Sequence, residues 1–220
     1  MLKSIIFDLE GTFVDTWRLY WEIFDETTTK LNLPRAPKQE FLTLLDQGYS
    51  LEEMFFKIYP SMDEKSLLNW LEEMHSLYRE REHLVPLMPG VEETLRLLKA
   101  RGLRMAIFTS MVYPAALLWT WLDRLGIRDF FEVVITGTDV LRKPAPDGII
   151  KCLEKLEVLP YECMIVGDSQ ADIIAGRGAG VKTVAVTGGV DTKEALLEEN
   201  PDFLIEELTQ LSSLLDCCKE

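Results

Sequence analysis

Near the start of the chain the stretch FDLEGT sets two carboxylates, Asp8 and Glu10, at the end of an apolar run. Side chains at i and i+2 of an extended segment share a face, so the two are neighbours. Carboxylates that close repel one another unless a cation or a shared proton relieves them, or unless both simply face solvent. Further along, MAIFTS ends in the hydroxyls Thr109 and Ser110, and LRKPAPDG carries Lys143. MIVGDSQAD supplies Asp168, Ser169 and, one helical turn on, Asp172. Taken singly, each has a plain structural role. Thr109 and Ser110, or Asp168 and Ser169, can cap helices, as can Asp15 or Thr16, and Lys143 can be an exposed turn residue.

The elements that carry these groups form a pattern. Leu2, Ile5, Ile6 and Phe7 read as a strand buried on both faces. LRMAIFT, EVVITG, CMIVG and KTVAVTG read as further strands. Helices alternate with them, one through Val91, Leu95 and Leu98, one through Leu117, Leu118, Trp121 and Leu125, one from Pro146 to Leu156, and one ending near GRGAG. That alternation predicts an α/β fold, a doubly wound parallel-sheet (Rossmann-like) core. Ligands bind such sheets outside the carboxyl ends of the strands. The acids, the hydroxyls and the lysine all stand at those ends, so they converge on one edge.

Between about Asp15 and Val85 the spacing changes. Trp17, Tyr20, Trp21, Phe24, Thr28 and Leu31 recur at helical period, and three more apolar helical stripes follow, through Phe41, through Met54 and Phe55, and through Leu67 to Tyr78. The expectation is an inserted α-helical domain of four helices over residues 15–87, with the core built from 1–14 and 88–220. Its aromatic and methionine stripes read as bundle core, without a cofactor role.

The 220 residues suffice for a full core, and 47% hydrophobic with 27% charged is the composition of a globular chain. With 37 acidic against 23 basic residues, a net charge of −14, nucleic acid is not an expected partner, since binding it needs a basic face. An anionic small substrate requires a metal or a lysine to reverse the local field. No apolar run is long enough to cross a bilayer, the N-terminus enters a strand without a signal-peptide cleavage site, and Cys152, Cys163, Cys217 and Cys218 show no C-x-x-C pairs. Reduced cysteines and a cytoplasmic location are the expectation. His75 and His83 read as surface or half-buried residues rather than ligands.

The set DLEGT, FTS, RKPAPD and GDSQAD, in that order, resembles the four motifs of the haloacid dehalogenase superfamily of phosphohydrolases. FVDT after the first motif, the run MPGVEETLRLLKARG and GRGAGVKTVAV after the fourth fit as well, so the match spans essentially the whole chain. The insertion is placed like that family's four-helix cap, in the phosphoglycolate phosphatase and β-phosphoglucomutase branch. The resemblance implies that Asp8 is a nucleophile forming an aspartyl-phosphate. It implies Mg2+ on Asp8, the main-chain carbonyl of Glu10, and Asp168, with Asp172 bound directly or through water. It also implies that Thr109 and the main chain around Ser110 hold phosphate oxygens, that Lys143 offsets charge in transfer, and that Glu10 handles the proton.

The chain departs from the family in having Glu10 where most members that act on phosphates have Asp. The extra methylene displaces the carboxyl by more than about 1 Å, which can cost on the order of a hundredfold if unmatched elsewhere. A similar D-x-E-G-T occurs in the enolase-phosphatase branch. The stretch DQGYSLEEM sits where relatives place a loop that dips into the site, so Gly48, Tyr49 and Ser50 are candidate substrate contacts, with a plain helix–helix turn as the alternative. The expected function is Mg2+-dependent hydrolysis of a small phosphomonoester by a monomer or homodimer. The rivals are a phosphosugar mutase, a pyrophosphate or nucleotide phosphohydrolase, and a phosphate-ligand binding protein with turnover impaired by Glu10.

Overall fold

The computed structural model describes residues 2–46, 49–81, 84–111 and 114–217. The chain divides into two compact units, Met1–Val14 with Pro86–Glu220, and Asp15–Val85.

The first unit is an α/β layer structure built on six parallel strands. These are β1 (Ser4–Phe7), β2 (Arg104–Phe108), β3 (Val133–Ile135), β4 (Cys163–Gly167), β5 (Lys182–Val186) and β6 (Phe203–Ile205), in the spatial order β3-β2-β1-β4-β5-β6. Every residue of β1 is buried, Ser4 included, as the apolar run from Ile5 to Phe7 requires of a central strand. Strand order reverses between β1 and β4, which is where a doubly wound sheet opens a crevice for ligands. The register puts the site residues at one level. Phe7 lies opposite Ile107 of β2 and Val166 of β4, so Asp8, Thr109 and Asp168 all follow within two residues of the same row.

In chain order this unit's helices are α5 (Val91–Ala100), α6 (Ala115–Arg124), α7 (Asp147–Leu156), α8 (Gln170–Ala179), α9 (Lys193–Glu198) and α10 (Gln210–Cys217). The apolar stripe of α7, with Ile149, Cys152, Leu153 and Leu156, closes a core with Ile6, Ala106, Phe108, Ile135 and Ile165 from the strands. Cys152 and Cys163 sit in that core as free, buried thiols. Burial pushes the Cys163 thiol up to about 11, so it stays neutral and packs as an apolar group. Three elements have no counterpart in the sequence reading: α9, β6 and α10. The three residues of β6 are too few to show a period.

The second unit holds α1 (Thr16–Lys30), α2 (Lys38–Asp46), α3 (Leu51–Ile58) and α4 (Glu64–Arg81). Asp15 caps α1 by accepting the Arg18 amide at 3.1 Å. The aromatic stripes form this unit's core. Phe24 stacks on Phe41 at 4.3 Å between centroids, and Phe55 lies 5.3 Å from the fully buried ring of Trp70. His75 is exposed, and His83 and Cys218 lie outside the described residues. No helix among the described residues is long and apolar enough to cross a membrane.

Candidate active site

Four strand ends meet at the opening. Asp8 follows β1 and is anchored by its amide, which donates to the Val166 carbonyl at 2.9 Å. Asp168 follows β4 and is 1% exposed. Asp172 stands in the first turn of α8, two bonds deep in a capping box. Ser169 caps the helix, while Asp172 Oδ2 accepts both the Ser169 amide (3.2 Å) and its hydroxyl (2.8 Å). Gly167 makes this possible, because a Cβ there would stand 2.2 Å from the Asp172 carboxyl carbon. Lys143 arrives from the loop after β3. That loop is tied down where the amide and hydroxyl of Thr136 both donate to Asp139 Oδ2, at 3.0 and 3.2 Å.

Lys143 Nζ donates to Asp8 Oδ1 at 2.5 Å and to Asp172 Oδ1 at 2.7 Å, with its side chain only 4% exposed. Asp8, Asp168 and Asp172 each offer a carboxylate oxygen, and these oxygens lie within 4.8 Å of one another. Asp168 is further held by Thr12, whose hydroxyl donates to Oδ1 at 3.1 Å, and by the Val190 amide, which donates to Oδ2 at 2.8 Å. Sequence reasoning did not single out Thr12 or Val190. The threonine lies inside the first motif and could have been read, whereas a main-chain donor carries no residue signature.

Glu10 is also buried, at 8% exposure, and its two oxygens differ. Oε2 accepts the Thr109 hydroxyl at 2.6 Å, and Oε1 has no hydrogen-bond partner among the described residues. Thr109 in turn accepts the Met111 amide at 3.0 Å. A threonine hydroxyl has one proton, and here it points at Glu10. Thr109 does not cap the next helix, because α6 begins beyond Pro114. Ser110 stands beside it, half-buried.

The electrostatics follow from four buried carboxyls and one buried ammonium. Burial, and after it Asp172, push the Asp168 carboxyl up to about 7. Burial also holds Asp8 well above the usual carboxylate range. Lys143 works against that shift, and Asp172, Glu10 and Asp168 add to it. Glu10 is raised by burial, with the Thr109 hydrogen bond pulling the other way. Burial alone would lower the Lys143 ammonium, but Asp172 and Asp8 outweigh it and hold it above the ordinary lysine value. Hard oxygen donors this close, with one ammonium against them, are a donor set that fits Mg2+. The Glu10 carboxylate is not one of the three.

The remaining sequence candidates lie in the helical unit. Ser50 caps α3 through a capping box with Glu53, accepting its amide at 3.2 Å. The Tyr49 ring carries the Lys57 ammonium 4.3 Å from its centroid. Gly48 lies outside the described residues.

The haloacid dehalogenase-like hydrolase family model matches residues 5–186. A protein of Bacillus cereus (strain B4264) named pyrophosphatase PpaX is 33% identical over 220 residues, covering 97% of this chain and 96% of that protein. A solved structure described as a predicted phosphoglycolate phosphatase from Haemophilus somnus 129pt superposes with TM-score 0.84 at 25% identity. It covers 97% of this chain and 98% of its own. CbbY from Rhodobacter sphaeroides, solved in complex with phosphate, superposes with TM-score 0.72 at 25% identity over 96% of each chain.

Proposed function

The chain belongs to the haloacid dehalogenase-like hydrolase family and is a phosphatase, and we propose that it hydrolyses a small phosphomonoester with Mg2+ through an aspartyl-phosphate on Asp8. The observation that carries this reading is the Lys143 ammonium bonded at once to Asp8 and Asp172, beside a carboxyl, Glu10, with one free buried oxygen. Mg2+, when held by Asp8, Asp168 and Asp172, would offset their charge and polarise a phosphoryl oxygen.

Burial raises Asp8, and Lys143 together with a bound Mg2+ would hold it ionised, so it needs no base to attack phosphorus. Lys143 keeps that charge in place and balances the phosphoryl group as it approaches. As the bond from phosphorus to the leaving oxygen breaks, Glu10 Oε1 donates its proton to that oxygen. The same carboxylate then takes a proton from the water that attacks the aspartyl-phosphate, releasing phosphate and restoring Asp8. Thr109 fixes Glu10 by its other oxygen and leaves Oε1 without a protein donor, so it is the oxygen available to the proton.

Glu10→Gln tests this. The amide oxygen keeps the Thr109 hydrogen bond, but the side chain has no acidic proton to transfer. Turnover of alkyl phosphates is expected to fall about 10²–10⁴-fold, and that of p-nitrophenyl phosphate by about tenfold or less, because its leaving group needs little protonation. Equal losses on both substrates would remove Glu10 from the acid's role.

A second reading is cleavage of inorganic pyrophosphate, favoured by the relatives named pyrophosphatase PpaX at 30–33% identity over 97% of this chain. Phosphate release from pyrophosphate and from a panel of phosphomonoesters, with and without Mg2+, separates the two. Turnover that needs a sugar bisphosphate would instead mark a mutase.

The raised carboxyls also predict a pH dependence. A group whose folded pKa lies above its unfolded value contributes stability that is full below the unfolded value and lost as pH rises through the folded one. For Asp168 that loss is spread from the ordinary carboxylate range up to about 7 and is complete above it, so the metal-free protein is expected to melt lower at pH 8 than at pH 5.5. Mg2+ must displace this proton, and its affinity is expected to be about tenfold tighter at pH 8 than at pH 6. Titration calorimetry at the two pH values checks the second effect, and equal affinities would contradict it.

A further inference from the structure

The loop after β5 reaches the site although none of its residues belongs to the four motifs. It runs Gly188-Gly189-Val190-Asp191, and both its ends are fixed. Before it, the Thr187 amide donates to the Ile205 carbonyl of β6 at 3.0 Å. After it, Thr192 caps α9 by accepting the Ala195 amide at 3.2 Å. Between these anchors Gly188 takes a φ of +94°, which an L side chain rarely adopts. Gly189 then lies so close to Asp168 that a Cβ on it would stand 1.9 Å from Oδ2 and 2.3 Å from the carboxyl carbon. That approach delivers the next amide, Val190, to Asp168 Oδ2 at 2.8 Å.

One residue later the same loop grips the other half of the site. Asp191 Oδ2 accepts the amide of Gln170 at 2.6 Å. Gln170 is the first residue of α8, and its amide has no partner within the helix. Asp172 is two residues further along that first turn. One loop of four residues therefore fixes both the Asp168 carboxylate and the turn that carries Asp172.

We propose that Gly188–Asp191 is a positioning strap for the Asp168–Asp172 carboxylate pair, in which Gly189 and Asp191 set how tightly the site binds a divalent cation. The physical reason is orientation. Each carboxylate oxygen has two lone pairs, and one taken up by a fixed protein donor leaves the other directed and ready. On Asp168 both oxygens are set in this way, one by Thr12 and one by Val190. Groups that orient metal ligands from behind typically govern 10–100-fold in metal affinity.

The inference rests on the reading of this cluster as a Mg2+ site, and its test separates the two. Mg2+ is titrated calorimetrically into the metal-stripped full-length protein and into three variants, Gly189→Ala, Asp191→Ala and Asp191→Asn. Gly189→Ala and Asp191→Ala are expected to raise the dissociation constant about 10–100-fold. Asp191→Asn keeps an acceptor for the Gln170 amide and is expected to bind within about threefold of the parent. The constant is read well below unfolding, so a merely structural weakening would lower the melting temperature and leave it in place. If Gly189→Ala does not fold, the two Asp191 variants decide the matter alone. A parent protein that binds Mg2+ while Asp191→Ala binds it equally tightly overturns the strap. A parent that binds no Mg2+ overturns the metal reading, and the strap with it.

Discussion

Asp8→Asn is expected to lower phosphate release by at least roughly a thousandfold and to abolish covalent phosphoryl labelling of the protein. Asparagine matches aspartate in shape, and its amide oxygen can still accept from Lys143 Nζ, which bonds Asp8 Oδ1 in the parent. What it lacks is the negative oxygen that attacks phosphorus. Folding is not expected to suffer in this variant. Asp8 is held well above the usual carboxylate range first by burial and then by the neighbouring carboxyls, so removing its charge relieves the metal-free protein. An unchanged or raised melting temperature together with lost turnover is therefore the expected pair of results. Turnover within about tenfold of the parent would mean that another group attacks.

Lys143→Met is expected to damage both stability and rate. Methionine keeps much of the volume and removes the ammonium, leaving Asp8 and Asp172 without the cation that bonds both. Breaking a buried ion pair by deleting one partner typically costs about 3–5 kcal/mol, since the remaining charge is neither solvated nor paired. Here the orphaned Asp8 carboxyl can take up a proton, and the pair can take up Mg2+, so the loss should be largest in metal-free protein at alkaline pH and smaller with Mg2+ present. Turnover is expected to fall about 10²–10³-fold even at saturating Mg2+, because the charge that balanced the moving phosphoryl group is gone. Denaturant melts with and without Mg2+, set beside steady-state rates, check both statements. A variant as stable as the parent without metal would show that Lys143 is not what holds the carboxylates together.

Much of this site could be read in the sequence because Asp8, Thr109 and Asp168 each follow the end of an apolar run. Ile5, Ile6 and Phe7 are fully buried in β1, and the first polar residue after them is Asp8. Cys163 to Val166 are buried in the same way, and Asp168 follows at the end of β4. A parallel sheet turns such local punctuation into spatial convergence, since all its strand ends face one edge. Ser50 was legible only in part. As a turn residue before a helix it was open to two readings, and the structure gives it the N-cap of α3. Strand β6 was missed because three residues cannot establish a period, and its two flanking helices were missed with it.

The amino-acid sequence by itself determined which groups the site contains and which strand ends present them, because residue type and hydrophobic period are local properties. Only the tertiary structure decided which oxygen meets which donor. The Thr109 proton goes to Glu10, Lys143 spans Asp8 and Asp172, and Thr12 reaches Asp168 across 156 positions of sequence. The Val190 amide and the close approach of Gly189 to Asp168 leave still less trace, since every residue but proline has a main-chain N–H and any glycine lacks a Cβ. Those contacts are made between segments far apart in the chain, and their geometry exists only once the sheet has set its register.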